Sequence, residues 1–302
     1  MYDLIILGAG TAGLTAALYA NRAGLKVLIV EKGVYGGQIV NTPLIENYPA
    51  LKEVSGFDFV QNLYEQAVTK FETPVVMGEI TDFSFTGIEK SVTVDQTVYT
   101  ARSIILATGA EHRKLGCAGE EKFKGKGVSY CATCDGAFFR GRTVAVIGGG
   151  NTALQDAKYL TNHCQKVYLI HRRDKFRATK VEIDSALKRE NIIPIYDTVV
   201  EEIMGENMVT SLKLRQIKDQ TETILPVNGV FIAIGLNPNN GDFSKEVETD
   251  EGGYLIAGED CKTNLEGVFV AGDTRTKRVR QLVTAAADGA VSAEMAVEYL
   301  NC

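Results

Sequence analysis

Tyr2-Asp-Leu-Ile-Ile-Leu-Gly8-Ala-Gly10-Thr-Ala-Gly13 is the stretch on which the fold turns. An apolar run of strand length stops at a glycine turn, and Leu14, Ala17, Leu18 and Ala20 then recur at helical spacing. Leu25 to Val30 reads as a second strand, closed by Glu31, which lies 18 residues past Gly13. Strand, glycine turn, helix, strand and acid together form a dinucleotide site. The glycines let the backbone approach a pyrophosphate, the helix N-terminus stabilises its charge, and the acid accepts ribose hydroxyls. A lone glycine turn would say little; both strands and the acid make Gly8, Gly10, Gly13 and Glu31 a candidate nucleotide cradle.

The pattern returns at Thr143-Val-Ala-Val-Ile147, followed by Gly148-Gly-Gly150-Asn151-Thr152-Ala153, a helix through Leu160 and a strand from Lys166 to Ile170. Here the second strand ends in His171-Arg172-Arg173, with Arg177 close behind, instead of an acid. Guanidinium groups at the ribose position suit a 2′-phosphate, so this unit favours NADPH over NADH. A solvated basic turn is the plainer alternative, and the position of the cluster directly after the strand counts against it.

Just before this second fingerprint lies Tyr130-Cys131-Ala-Thr-Cys134-Asp135-Gly136. Two cysteines at this spacing can close into a disulfide and reopen, one thiolate attacking while the other resolves. The same spacing also makes half of a zinc site. Structural zinc usually takes four ligands, and the chain has no second CxxC or paired histidines, so no metal is expected.

The remaining strands set the topology. Val98 to Ala110 reads as a strand ending in Thr108-Gly109-Ala110, and Gly229-Val-Phe-Ile-Ala-Ile-Gly235 matches it late in the second unit. Glu266-Gly-Val-Phe-Val-Ala-Gly-Asp273 is a further strand ending in an acid, and Gln281 to Leu300 a long alanine-rich helix that returns to the first unit. The expected fold is α/β, with two Rossmann-like, three-layer ββα nucleotide-binding domains. One is inserted in the other: residues 1–113 and 243–302 form the outer domain, 114–242 the inserted one. The crossings fall near Glu111 to Leu115 and Asn237 to Lys245.

Composition excludes several classes. With 45% hydrophobic and 23% charged residues and 30 glycines the chain is globular, and its net charge of -6, without a long basic stretch, gives no footprint for nucleic acid. No apolar run approaches the roughly 18 residues that span a bilayer, and the N-terminus lacks the features of a signal peptide, so a cytoplasmic protein is expected. In a reducing compartment a CxxC is catalytic more often than structural.

Taken together, the CATCDG run between two nucleotide folds, the HRRD sequence with Arg177, the Ala-Thr-Gly turn, and Ala-Gly-Asp followed by Arg280-Gln281 resemble low-molecular-weight thioredoxin reductase along the whole chain. The resemblance implies a homodimer whose outer domain holds non-covalent FAD and whose inserted domain holds NADPH and the redox cysteines. It places FAD along Gly8, Gly10, Gly13 and Glu31, with Gly36, Gly37, Gln38, Asn47, Thr108, Gly109, Asp273, Arg280, Gln281 and Leu282 around the ribityl chain and ring. Asp273 has a physical reason of its own, since a carboxylate at a strand end can accept a ribityl hydroxyl; a plain helix cap is the alternative. NADPH falls to Gly148, Gly150, Asn151, Thr152 and Ala153, with His171, Arg172, Arg173 and Arg177 around the 2′-phosphate. Two departures stand out: Asn151-Thr152 replaces the family's usual acid and serine, and Tyr-Pro-Ala follows Asn47 where Phe or Trp then Pro-Gly is usual.

By the same resemblance Cys131 attacks the protein partner, Cys134 makes the charge-transfer contact with the flavin, and Asp135 donates and accepts the proton. The acceptor is thioredoxin or a thioredoxin-like protein, and the inserted domain rotates between half-reactions because nicotinamide, disulfide and partner compete for access. The rival is a relative with a different donor, ferredoxin or an oxygen-coupled reaction, or with a different thioredoxin-like acceptor. Those relatives lack the second glycine turn and the arginine cluster, both present here. Cys117, Cys164 and Cys261 read as core or surface thiols, and Cys302 stands without a spaced partner.

Overall fold

The computed structural model describes residues 1–301, so Cys302 lies outside the described residues. The chain divides into two compact units: Met1–Glu111 together with the chain from Asn237 onward, and His112–Leu236.

In the outer unit, strands Val75–Met77, Val27–Glu31, Tyr2–Leu7, Thr97–Leu106 and Val268–Val270 lie side by side in that order, all parallel. Thr97–Leu106 belongs to two layers at once. Its second half carries the parallel pairing, while its first half pairs antiparallel with Lys90–Val94, which in turn pairs with Ile80–Ser84. This explains the unbroken apolar run at the N-terminus: a strand covered on both faces needs no polar alternation. Leu4 and Ile6 face the helices Thr11–Arg22 and Leu282–Asn301, whereas Ile5 and Leu7 face the antiparallel layer with Phe85, Val92 and Val94. All four are essentially inaccessible, and truncating any to alanine costs about 2–5 kcal/mol.

The first and last helices pack through small residues, Ala12, Ala16 and Ala20 against Ala293 and Ala296. They approach so closely that a Cβ on Gly289 would sit 2.3 Å from the Ala12 carbonyl oxygen.

The inserted unit repeats the plan. Strands Ile192–Ile195, Lys166–Ile170, Thr143–Ile147, Gly229–Ile232 and Val128–Ser129 form a parallel sheet in that order. Val144, Val146 and Leu169 face the helices, among them Asn151–Leu160; Ala145, Ile147 and Ile170 face a meander of Thr198–Gly205, Val209–Gln216 and Glu222–Pro226. Both units are therefore three-layer α/β folds with a parallel central sheet.

Two boundaries differ from the sequence reading. The strand expected from Val98 to Ala110 ends at Leu106, and after the Thr108-Gly109 turn the segment Ala110–His112 pairs with Leu236–Pro238 in a small sheet of its own. Residues 237–242 also group with the outer unit. Asn240, 4% exposed, donates to the Gly253 and Thr274 carbonyls, and Phe243 is buried beside Phe85. Those partners are distant in sequence, which is why a cluster of Asn, Gly and charge reads as a loose linker.

Among the described residues no helix is long and apolar enough to cross a membrane.

Candidate active site

In the outer unit the glycine turn is built for close approach. A Cβ on Gly13 would lie 1.9 Å from the Gly8 carbonyl oxygen, so the helix can begin only where residue 13 has no side chain. A Cβ on Gly10, by contrast, would meet no atom within 4 Å, which leaves the helix N-terminus open to an anion. Glu31 reaches back to this turn: its carboxylate accepts the Ala9 N–H at 2.7 Å and the Gly33 N–H at 2.9 Å. Gly36 donates its N–H to the Ala9 carbonyl, and Gly37 lies against Gly10.

The other candidate flavin residues of this unit are joined by hydrogen bonds. Gln38 donates its amide to the Ala110 carbonyl, and Asn47 donates to the Gln281 side-chain oxygen at 3.1 Å. Thr108 meets Thr274, hydroxyl to hydroxyl, at 3.0 Å, and Thr274 in turn donates to Asn240. Gly109 accepts the Asn239 N–H at 2.9 Å. The Arg280 guanidinium is committed to its own loop, donating to the carbonyls of Asp273, Arg275 and Lys277, and it stacks 4.0 Å from the Tyr254 ring centre. Leu282 opens the last helix and packs beside Ile45, Phe59 and Val60.

Asp273 is the informative member. Its Oδ1 is buried and has no hydrogen-bond partner, and burial holds the carboxyl above the ordinary aspartate range against the pull of Lys277 and Arg280. A buried, unsatisfied acceptor is costly unless a ligand supplies the donor. A polyhydroxylated chain fits that need, so these residues suit the ribityl segment of a flavin dinucleotide. Asp288 fixes the turn that carries Asp273: it accepts the Gly272 N–H at 3.0 Å, both Arg275 nitrogens at 2.8–2.9 Å and the Lys277 ammonium at 2.7 Å.

In the inserted unit, Gly150 likewise faces open space before helix Asn151–Leu160, whose Ala153 is buried and whose Thr152 is exposed. The arginine loop folds onto this turn: Arg177 donates its backbone N–H to the Gly149 carbonyl at 2.7 Å. The guanidinium groups of Arg172, Arg173 and Arg177 are exposed and make no ion pair among the described residues. His171 is different in kind. Its ring is buried beside Phe176, a Cβ on Gly149 would lie 2.2 Å from it, and its Nε2 has no partner. Burial, then the neighbouring arginines, lowers its pKa, so it is neutral at pH 7 and adds no charge to the cluster.

Cys131 and Cys134 are joined, Sγ to Sγ at 2.08 Å, at the start of the short helix Ala132–Asp135. Cys134 is exposed and Cys131 half-buried, and the Cys134 N–H points to the Cys131 sulfur at 3.2 Å. Asp135 is half-buried, and burial raises its pKa against the opposing effect of a 2.5 Å hydrogen bond from the Ser129 hydroxyl. Tyr130 donates its phenol to Glu120 at 2.7 Å, and Glu120 also accepts the N–H groups of Leu115 and Gly116, which ties the segment before the dithiol to the start of the unit. Ser129, Glu120, Asn240 and Thr274 belong to no motif, and a buried small polar residue carries no periodic signal by which sequence could single it out. The other thiols among the described residues are poor nucleophiles: burial pushes Cys117 and Cys164 up to about 11 and Cys261 to about 12.

Residues 2–289 match the family described as pyridine nucleotide-disulphide oxidoreductase. The chain is 48% identical over 302 residues to a thioredoxin reductase of Listeria innocua serovar 6a, covering 100% of this chain and 94% of that protein. It is also similar to the crystal structure of thioredoxin reductase from Streptococcus pyogenes MGAS5005, with a TM-score of 0.94, 41% identity and coverage of 100% and 98% of the two chains. Similarity to a ferredoxin-flavin thioredoxin reductase of Clostridium acetobutylicum is weaker, at 27% identity and a TM-score of 0.53 over 99% and 98% of the chains.

Proposed function

This chain belongs to the pyridine nucleotide-disulphide oxidoreductase family, among its thioredoxin reductases, and from that premise we propose that it takes electrons from NADPH, uses FAD, and reduces thioredoxin through Cys131 and Cys134. When bound, the flavin and the nicotinamide supply hydride chemistry that no side chain offers. The protein's residues do the rest. Gly8, Gly10, Gly13 and Glu31 hold the FAD pyrophosphate and ribose, and Asp273 accepts a ribityl hydroxyl. Gly148, Gly150 and the start of helix Asn151–Leu160 hold the NADPH pyrophosphate, while Arg172, Arg173 and Arg177 bind the 2′-phosphate and select against NADH.

Thiol–disulfide exchange follows from the cysteine pair. The Cys131 thiolate attacks the partner disulfide, forming a mixed disulfide, and the Cys134 thiolate displaces the partner as a dithiol while Asp135 carries the proton. The inserted unit turns about its two crossings, so that NADPH site and dithiol act in turn. We further infer a homodimer in the cytosol.

The observation that carries the choice of donor is a loop of three exposed arginines without ion pairs among the described residues, whose backbone folds onto the second glycine turn through the Arg177 N–H. A ferredoxin-dependent reaction would need none of them. Stopped-flow mixing tests this: NADPH should bleach the flavin rapidly and NADH slowly, and added thioredoxin should reoxidise it. Flavin that stays oxidised with both nucleotides overturns the assignment.

A further inference from the structure

We propose that Ser129 is the positioning residue of the dithiol's proton cycle, keeping the Asp135 side chain hydrogen-bonded whether or not it carries a proton. This rests on the reading of Asp135 as the group that exchanges a proton with the cysteines.

Ser129 ends the strand Val128–Ser129 and is 6% exposed. Its Oγ touches three groups: the Asp135 carboxylate Oδ2 at 2.5 Å, the Cys131 N–H at 3.0 Å and the Cys131 carbonyl at 3.3 Å. A hydroxyl has one proton to give and two lone pairs to receive. While Asp135 is ionised, the Ser129 proton goes to the carboxylate and one lone pair receives the Cys131 N–H. Once Asp135 is protonated, its O–H donates to the second lone pair, and the Ser129 proton turns to the Cys131 carbonyl. No heavy atom has to move, and the Cys131 N–H stays satisfied in both states. A residue able only to donate would favour the ionised form alone, and an apolar one would leave a half-buried acid without a partner.

The cycle balances. Two electrons from the enzyme's NADPH-driven reaction break the Cys131–Cys134 bond; one sulfur takes the Asp135 proton and becomes a thiol, the other stays a thiolate, and Asp135 is reprotonated from solvent. In the exchange reaction Asp135 gives up a proton to solvent and takes the Cys131 proton, and Cys131 attacks the partner disulfide. The first partner sulfur leaves and receives the proton back from Asp135. Cys134 then closes the ring, the second partner sulfur leaves as thiolate, and Asp135, left ionised, regains a proton from solvent, which returns the enzyme to its starting state.

Few groups compete with this pair. The helix packed on the cysteine turn, Asn151–Leu160, carries Asp156, Lys158 and Tyr159 as its titratable groups, and the strand Val128–Ser129 carries none. The shift at Asp135 arises from burial and the Ser129 hydrogen bond.

The test is the pH profile, from pH 5 to 9, of NADPH-driven thioredoxin reduction by the FAD-loaded enzyme, for wild type, Ser129→Ala, Ser129→Thr and Asp135→Asn. The hydroxyl serves both states but binds the charged carboxylate more strongly than the neutral acid, so in Ser129→Ala the limb belonging to Asp135 should move to higher pH by about one unit. Ser129→Thr, which keeps the hydroxyl, should restore the wild-type profile. A Ser129→Ala limb at the wild-type pH overturns the proposal, as does failure of threonine to restore it. Asp135→Asn separates the two readings: it should abolish the limb, and if the limb survives, the reading of Asp135 itself fails.

Discussion

Asn151 and Thr179 are joined by a 2.9 Å hydrogen bond, in which the Thr179 backbone N–H donates to the Asn151 side-chain oxygen. Asn151 is one of the two residues that depart from the family's usual acid and serine after the triple glycine, and the bond gives the departure a purpose. It fastens the end of the arginine loop to the first residue of the helix that starts at the second glycine turn.

Asn151→Ala should therefore loosen the loop without touching the dithiol. With about 1 kcal/mol for the lost hydrogen bond, the KM for NADPH should rise about fivefold while kcat changes little. Steady-state kinetics with saturating thioredoxin measures both, and an unchanged KM would remove the bond from the binding account.

Arg177→Ala should weaken NADPH far more than NADH. A charge-assisted contact to a phosphate contributes about 1.5–3 kcal/mol, so kcat/KM for NADPH should fall roughly tenfold to a hundredfold. Because NADH has no 2′-phosphate, its kcat/KM should hold, and parallel measurements with the two nucleotides give the ratio directly.

Asp273→Ala should separate flavin binding from stability. The wild-type apoprotein carries a buried acceptor with no donor, so removing it should leave the apoprotein at least as heat-stable, while the purified variant retains less FAD. The ratio of flavin to protein absorbance after dialysis and the melting temperature of the flavin-free protein are the two readings. Full flavin retention would contradict the role.

Burial pushes the Asp156 carboxyl up to about 7. The folded protein then binds this proton more tightly than the unfolded chain, so its stability is greatest below the ordinary aspartate pKa and falls as pH rises toward 7. Asp156→Asn does not titrate. It should match wild type near pH 4 and melt a few degrees higher at pH 8, as a pH series of thermal melts would show.

The two glycine turns, the strands that feed them and the closing acid or arginines were legible because their chemistry is local: a strand, a turn and a helix start within about thirty residues of one another. Strand Lys166–Ile170 and strand Thr143–Ile147 have the limits their apolar runs indicate. What the sequence left unread depends on contacts that only the folded chain makes, near or far along it. Ser129 matters because of Asp135 and Cys131, and Asn240 because of Gly253 and Thr274. His171 was placed with the arginines around a 2′-phosphate, and only the packed structure reveals that Phe176 and Gly149 enclose its ring.

The contact between Ala12 and Gly289 joins the beginning of the chain to its end, with the whole inserted unit between them. During synthesis the first helix emerges long before its packing partner exists, and its apolar face must wait for Leu282–Asn301. The inserted unit is contiguous in sequence and can close first, which turns the slow long-range search into the docking of two nearby ends. A polypeptide cut short before the last helix would leave the apolar face of the first one half-covered, so the outer unit closes only when the twenty residues of Leu282–Asn301 have been made.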